Sequence, residues 1–214
     1  DATFSLNPAL KRMADLYGRK QALPVHAVAS VYRDRSHFDA QNVLESGAMK
    51  AFERDDGWLN RLLGDLPPQD SKAVALAETM PLALRGSNAA SNYAPAKDER
   101  ATPDLLARVG GLYASDTGLA SVWRTALETR GLAGAEGAAG NLSAGAQAGA
   151  LAASLLKPAD GARVLMMEST GWDTHTAQEG RVAREAANLD ATIGALVDGL
   201  GPVWNETMVL IATE

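Results

Sequence analysis

Four short apolar runs alternate with longer amphipathic stretches along the chain. The runs cover residues 22–30, 72–78, 163–170 and 207–214 and are partly β-branched, as buried strands are. The last run, TMVLIATE, is the clearest of the four, whereas the alanines of the second are also compatible with a helix. The pattern therefore predicts four strands of one buried sheet.

The stretches between the runs predict helices, because their apolar residues recur at helical spacing. Two of them begin at a capping residue followed by proline, Asn7-Pro8 and Thr102-Pro103, which is a favourable helix start. Residues 86–102 are rich in turn formers and charge and are predicted to be a solvated loop. The segment 134–158 is predicted to begin as a flexible Gly/Ala stretch and to end as a helix. The remaining helices are predicted over 36–44, 57–66, 119–132 and 178–201.

Strands separated by helices predict an α/β fold with a mostly parallel, buried sheet. We predict one domain in which residues 1–97 and 161–214 are the two parts of the α/β core and residues 98–160 are a helical insertion. Ligands of such sheets bind beyond the carboxyl ends of the strands. Polar clusters follow three of the predicted strands there: the loop 31–39, the motif GWDTH (171–175) and Glu214.

Composition and charge narrow the function classes. The net charge of −6 provides no overall positive field, so we expect no nucleic-acid partner. No apolar run is long enough to span a bilayer, so we expect no transmembrane segment. The chain has no cysteine and three histidines, so a bound metal would be held by His, Asp or Glu. The sequence leaves the oligomeric state open.

The motif GWDTH places a carboxylate and an imidazole two positions apart. On an extended backbone residues i and i+2 point the same way, so Asp173 and His175 can face one point. A ligand pair of this kind suits Zn²⁺, Mn²⁺ or a similar divalent ion. In the alternative interpretation, Asp173 caps the following helix and His175 lies on the surface. Glu214 has the same two interpretations, a metal ligand or a solvated residue.

The loop VYRDRSHFD (31–39) combines arginines with a serine at a predicted helix start. Free amides at a helix N-terminus and an arginine fork both favour a phosphate or sulfate group. A serine there can act as a nucleophile that a metal activates. The alternative is a capping box, with serine at the cap and an acid three residues later; the two roles are compatible. The residues predicted here are Ser36 as the nucleophile and Arg33, Arg35 and His37 as the anion-binding group.

The order of the motifs RSHFDAQ, ESG, GWLNR and GWDTH resembles a bacterial family of unknown function, DUF1501. That family is commonly placed beside the sulfatases in the alkaline-phosphatase-like superfamily. The resemblance implies a three-layer α/β fold with a divalent-metal centre at the strand ends. It also implies hydrolysis or transfer of phosphate or sulfate esters, and a periplasmic or exported location through a twin-arginine signal. By the same resemblance, Asp173, His175 and Glu214 are the expected ligands of zinc or manganese.

The resembling family also has motifs that this chain lacks. Its pattern begins upstream with a strand and a Gly-Gly-x-Asp-Gly-Leu segment, and it continues beyond Glu214 to Asp-His-Gly. The chain is therefore expected to be an interior fragment, short of ligands for two metal sites and inactive alone. Two functions are carried forward: a metal-dependent hydrolase of small anionic esters, and a non-catalytic exported binding or scaffold protein whose helical tract 98–158 is the interaction surface.

Overall fold

A three-stranded parallel sheet organises the protein. The computed structural model describes residues 4–95, 101–139 and 144–213. The strands are β1 (Ala73–Leu76), β2 (Ala90–Tyr93) and β3 (Val164–Met167), in the order β2-β1-β3. Both outer strands run parallel to β1, with Ala73 aligned to Ala90 on one side and to Val164 on the other. The protein therefore has the α/β fold that the sequence predicts.

Seven α-helices lie within the described residues. None of them combines the length and the apolar character that a bilayer crossing requires. Short 3-10 turns cover Pro68–Asp70, Leu82–Leu84 and Gly201–Glu206. The α-helices are α1 (Lys11–Gly18), α2 (His37–Ser46), α3 (Trp58–Asp65), α4 (Pro103–Tyr113), α5 (Thr117–Ala139), α6 (Gly145–Leu156) and α7 (Gln178–Leu200).

The central strand β1 is buried on both faces, and its alternating side chains divide the core into two layers. Val74 and Leu76 belong to a cluster that includes Leu151 of α6 and Leu200 of α7. Their neighbours Ala73 and Ala75 point to the other face, where Leu63 of α3 and Leu84 pack. Helices therefore cover both faces of the sheet, which gives three layers.

Glycines allow α6 and α7 to pack closely. A Cβ on Gly145 would lie 2.0 Å from the carbonyl oxygen of Asn188, and one on Gly149 would lie 2.1 Å from that of Thr192. Real Cβ atoms do not approach other atoms so closely, so only glycine fits at these two positions. The small residues of α6 thus have a packing role that their sequence pattern does not reveal.

Two carboxylates of α7 hold α1 against it: Asp198 pairs with the guanidinium of Arg12, and Asp190 binds the helix start. The two oxygens of Asp190 accept hydrogen bonds from the backbone amides of Arg12 (2.9 Å) and Met13 (2.9 Å). A carboxylate at a helix N-terminus satisfies free amides and interacts favourably with the helix dipole. The helix begins at Lys11, so its predicted start at Asn7-Pro8 lies too early; there the side chain of Asn7 accepts from the amide of Ala9.

Two of the four predicted strands are confirmed. The run 72–78 contains β1 and the run 163–170 contains β3. The helices predicted to start at Ser36, Gly57, Thr102 and Gln178 are also confirmed, within one or two residues at each start. In these segments the hydrophobic period and the capping residues agree with the burial that the fold provides.

The strand predicted over 22–30 is wrong. This segment has no regular structure, and Leu23 and Val28 are 82% and 75% exposed. Ala27 has a φ of 58°, in the left-handed region, which interrupts an extended backbone. His26, which lies within the predicted strand 22–30, is exposed and stacks on the ring of Phe4 instead of being buried.

The strand predicted over 207–214 is wrong for 207–213, and Glu214 lies outside the described residues. Thr207 is extended, but Met208 and Leu210 are 90% and 68% exposed and the segment pairs with no strand among the described residues. A strand needs a neighbour for its backbone groups as well as an apolar sequence. The apolar pattern shows only the second requirement.

The loop predicted over 86–102 contains β2, and this correction has a tertiary cause. The strand sequence Ala-Ser-Asn-Tyr has weak strand character, but its polar groups find partners. The hydroxyl of Ser91 lies 3.0 Å from that of Thr129, and Asn92 donates to the carbonyl of Ala77. Residues 134–139, predicted to be a flexible Gly/Ala stretch, belong to α5, which extends to Ala139.

Candidate functional site

The loop that follows β3 carries the predicted metal ligands. It runs from Glu168 at the carboxyl end of β3 to Ala177, and Gly171 takes a φ of 93° that favours glycine. A Cβ on Gly171 would lie 3.0 Å from the carboxyl carbon of Glu185, so the loop sits directly on α7. The indole of Trp172 donates a hydrogen bond to the hydroxyl of Ser169 (2.9 Å), and this bond stabilises the turn.

Asp173 and His175 contact each other on the surface of this loop. The Nε2 atom of His175 lies 2.8 Å from the Oδ1 atom of Asp173, and the two side chains are 82% and 62% exposed. The N-cap of α7 is Ala177, which makes no side-chain capping bond, and among the described residues Asp173 accepts no hydrogen bond from an amide of the first turn. The alternative in which Asp173 caps the helix is therefore wrong, although the surface position of His175 agrees with it.

A carboxylate oxygen and an imidazole nitrogen are ligand types that zinc and manganese take, and both side chains are open to solvent; in this structure the two atoms contact each other. They are two ligands of the four that a closed zinc site uses. Among the described residues, no group of three His, Cys, Asp or Glu side chains is arranged to hold an ion. The third predicted ligand, Glu214, lies outside them.

Ser36 stands at the N-cap of α2. Its hydroxyl oxygen accepts a hydrogen bond from the amide of Asp39 (3.3 Å), which is the capping role the sequence offers as the alternative. The carboxylate of Asp39 accepts instead from the hydroxyl of Tyr32 (3.1 Å). This bond ties the preceding loop to the first turn of the helix, so the position of Arg33 is set by local contacts.

The three predicted anion-binding residues, Arg33, Arg35 and His37, are all exposed beside Ser36. Arg33 lines an open cavity of about 370 Å³ between the loop before α2 and the loop after it. Arg35 and His37 are not among the residues that line this cavity.

Two carboxylates that were not predicted as site residues, Glu45 of α2 and Glu168 at the end of β3, lie near enough for the charge of one to act on the other. Glu45 is buried, and it accepts hydrogen bonds from the amide of Ala83 (2.9 Å) and from Gln41 (2.7 Å). Partial burial, with the charge of Glu45 nearby, raises the pKa of the Glu168 carboxyl above its ordinary value of 4.5. Two features of the sequence could have pointed to these carboxylates: Glu45 opens the motif ESG, and Glu168 lies at the end of a predicted strand.

The position of Glu45 on α2 shows that the loop 31–39 and the loop after β3 are near opposite ends of this helix. Glu45 lies nine residues after Ser36 on α2, which is about 14 Å along a helix. Glu45 therefore lies near the carboxyl end of α2, and its charge acts on Glu168, the residue that follows β3. Neither Asp173 nor His175 forms a hydrogen bond or ion pair with the loop 31–39 among the described residues.

The geometry defines a three-layer α/β protein with polar clusters at and beyond the carboxyl end of a parallel strand. A model of the family described as "Protein of unknown function (DUF1501)" matches residues 16–214. The chain belongs to this family. Comparison with curated proteins and with solved structures gives no match.

Proposed function

We propose that this protein acts as a metal-dependent hydrolase of phosphate or sulfate esters. The observation that supports the proposal best is the contact of Asp173 with His175 just beyond β3. Parallel sheets bind ligands at this edge, and both donor groups are open to solvent there. A bound divalent ion would supply Lewis-acid polarisation of an ester oxygen.

The loop 31–39 carries the other groups that the sequence predicts for such a reaction, and it lies at the opposite end of α2 from Glu45. Arg33 and Arg35 are exposed cations that attract the ester's anionic group, and His37 adds a ring donor beside them. The oxygen of Ser36 accepts a hydrogen bond from the Asp39 amide, and its hydroxyl also interacts with the side chain of Tyr32. Ser36 is our proposed nucleophile because it stands between Arg35 and His37 at the start of α2, and its attack would require the ester and the bound ion to reach this end of the helix.

A metal titration tests the proposal directly. Calorimetry with Zn²⁺ and with Mn²⁺ should show binding that Asp173→Ala and His175→Ala each weaken by more than about tenfold. Asp104→Ala is the matched control, because Asp104 is an exposed carboxylate (80%) on α4. The same variants are then assayed on aryl phosphate and aryl sulfate. Equal metal affinity in all four proteins would overturn the proposal.

A second candidate function is a non-catalytic binding or scaffold protein, and one observation favours it. Helices α4 and α5 of the predicted interaction tract expose large apolar side chains, with Leu112 at 78% and Val122 at 68%. Exposed apolar surface of this kind marks interaction sites. Absence of turnover on a broad ester panel, with loss of a partner in Leu112→Asp and Val122→Asp, would favour this function over hydrolysis.

A further inference from the structure

Two loops at opposite ends of α2 form one cleft. The loop before the helix and the loop after it line an open cavity of about 370 Å³. Their approach is fixed by contacts with the helix itself: Tyr32 donates to Asp39, and the amide of Phe52 donates to the side chain of Asn42 (2.7 Å). The residues that line the cavity are Val31, Tyr32, Arg33, Asp34, Met49, Lys50 and Ala51.

Cationic and anionic groups both lie at this cleft, and the carboxylate of Glu53 accepts hydrogen bonds from the amides of Met49 and Lys50 (3.1 Å each). Arg33 comes from the first loop and Lys50 from the second, and Asp34 is the one carboxylate among the lining residues. Within the described part of the chain, neither cationic group forms an ion pair or a side-chain hydrogen bond. Two cations without an ion pair, on separate loops that line one cavity, suit a phosphate or sulfate group, and arginine can form a bidentate contact with it.

The rim of the cleft is apolar. Met49 is 67% exposed and Phe52, two residues after Lys50, is 71% exposed. The bond from Phe52 to Asn42 places this loop one helical turn from Phe38, which is also exposed. Large apolar side chains beside unpaired cations suit a ligand that is anionic at one end and apolar at the other.

We propose that the cleft binds an organic phosphate or sulfate, with the anionic group between Arg33 and Lys50 and an aryl or alkyl group against Met49. Lys50 is a new member of the anion-binding group. The claim that aryl or alkyl esters are the substrates rests on the proposed function. The claim that the cleft binds such anions does not. The unpaired cations alone would bind inorganic phosphate, and the apolar rim adds the preference for an organic group.

Binding measurements in the presence of EDTA test this inference separately from metal binding and turnover. Calorimetry compares phenyl phosphate with inorganic phosphate on the intact chain. Phenyl phosphate is expected to bind about tenfold more tightly, because an aryl group gains apolar contact. Lys50→Ala should weaken both ligands at least about fivefold, whereas Met49→Ser should weaken phenyl phosphate alone.

Lys11→Ala is the charge-matched control, since Lys11 is an exposed lysine of α1, and it should leave both affinities unchanged. Urea denaturation of each variant verifies that the fold is retained; all three positions are exposed. Wild-type affinity in Lys50→Ala, or an equal loss of both ligands in Met49→Ser, would overturn the inference. If phenyl phosphate binds as expected but is not hydrolysed, the result supports the binding cleft and contradicts the proposed hydrolase function.

Discussion

Replacing Gly149 by alanine tests whether α6 and α7 pack as closely as the structure indicates. The new Cβ would lie 2.1 Å from the carbonyl oxygen of Thr192 and 3.0 Å from the Cβ of Ala195. Ordinary van der Waals contact begins at 3.4 Å. The oxygen belongs to the backbone of α7, which cannot rotate away as a side chain can, so the two helices have to separate by roughly an ångström.

Two opposing effects set the size of the change. Alanine stabilises a helix interior by about 1 kcal/mol relative to glycine. Forcing a methyl group into a packed interface costs about 1–3 kcal/mol, and contact with backbone places this case at the upper end. Separation also loosens Leu151 and Leu200, both fully buried in the core cluster. We expect Gly149→Ala to lower the free energy of unfolding by about 2 kcal/mol.

Gly131→Ala is the matched control. Gly131 lies in α5, and a Cβ there meets no atom within 4 Å, so the propensity gain of about 1 kcal/mol should appear alone. With a urea m-value of about 2 kcal/mol/M, the unfolding midpoint should fall by about 1 M in Gly149→Ala and rise by about 0.5 M in Gly131→Ala. A midpoint of Gly149→Ala at or above that of the wild type would refute the close packing of α6 on α7.

Three other predictions concern hydrogen bonds and titration. Asn60 is 1% exposed and donates to two backbone carbonyls, so Asn60→Ala should lower the free energy of unfolding by about 3 kcal/mol in urea denaturation; a loss under about 1 kcal/mol would contradict this role. Partial burial and the charge of Glu45 raise the pKa of Glu168, so the unfolded state ionises first as pH rises above 4.5. Stability should therefore decrease with pH up to the raised pKa, and Glu168→Gln should be more stable than the wild type above that window and no more stable below it. A hydrogen bond from Arg54 lowers the pKa of Asp56 to about 2, so this contribution to stability is present above pH 3.8 and is lost as pH falls through about 2. NMR titration should find that midpoint, and the midpoint should rise toward 3.8 in Arg54→Ala.

Local signals were sufficient for several elements. One apolar stripe predicts α7: Val182, Ala186, Leu189, Ile193, Leu196 and Leu200. Four of these side chains are buried, and those of Val182 and Leu189 are half-buried. Ser36 and Thr102 predict helix starts, and both side chains accept the expected amide three residues later. These features depend on neighbours within one or two helical turns, so the sequence contains the whole cause.

Pairing partners were not available from local signals. The run 207–213 is more strand-like than Ala90–Tyr93, yet the latter forms β2 because β1 lies beside it and its polar groups are satisfied. Glu45 shows the same limit in the candidate site. Glu45 is bonded to the amide of Ala83, 38 positions further along the chain. The sequence around Glu45 does not predict that bond.

By itself, the sequence determined the α/β class, two of the three strands, most helix starts and the family, because periodicity, caps and motifs are short-range properties. It also placed Asp173 and His175 near enough to touch, since residues i and i+2 meet on an extended loop. Only the tertiary structure decided which apolar runs pair, how closely α6 approaches α7, and that Lys50 joins Arg33 in one cleft. Those outcomes depend on distances between residues far apart in the chain, and such distances exist only after the layers have packed.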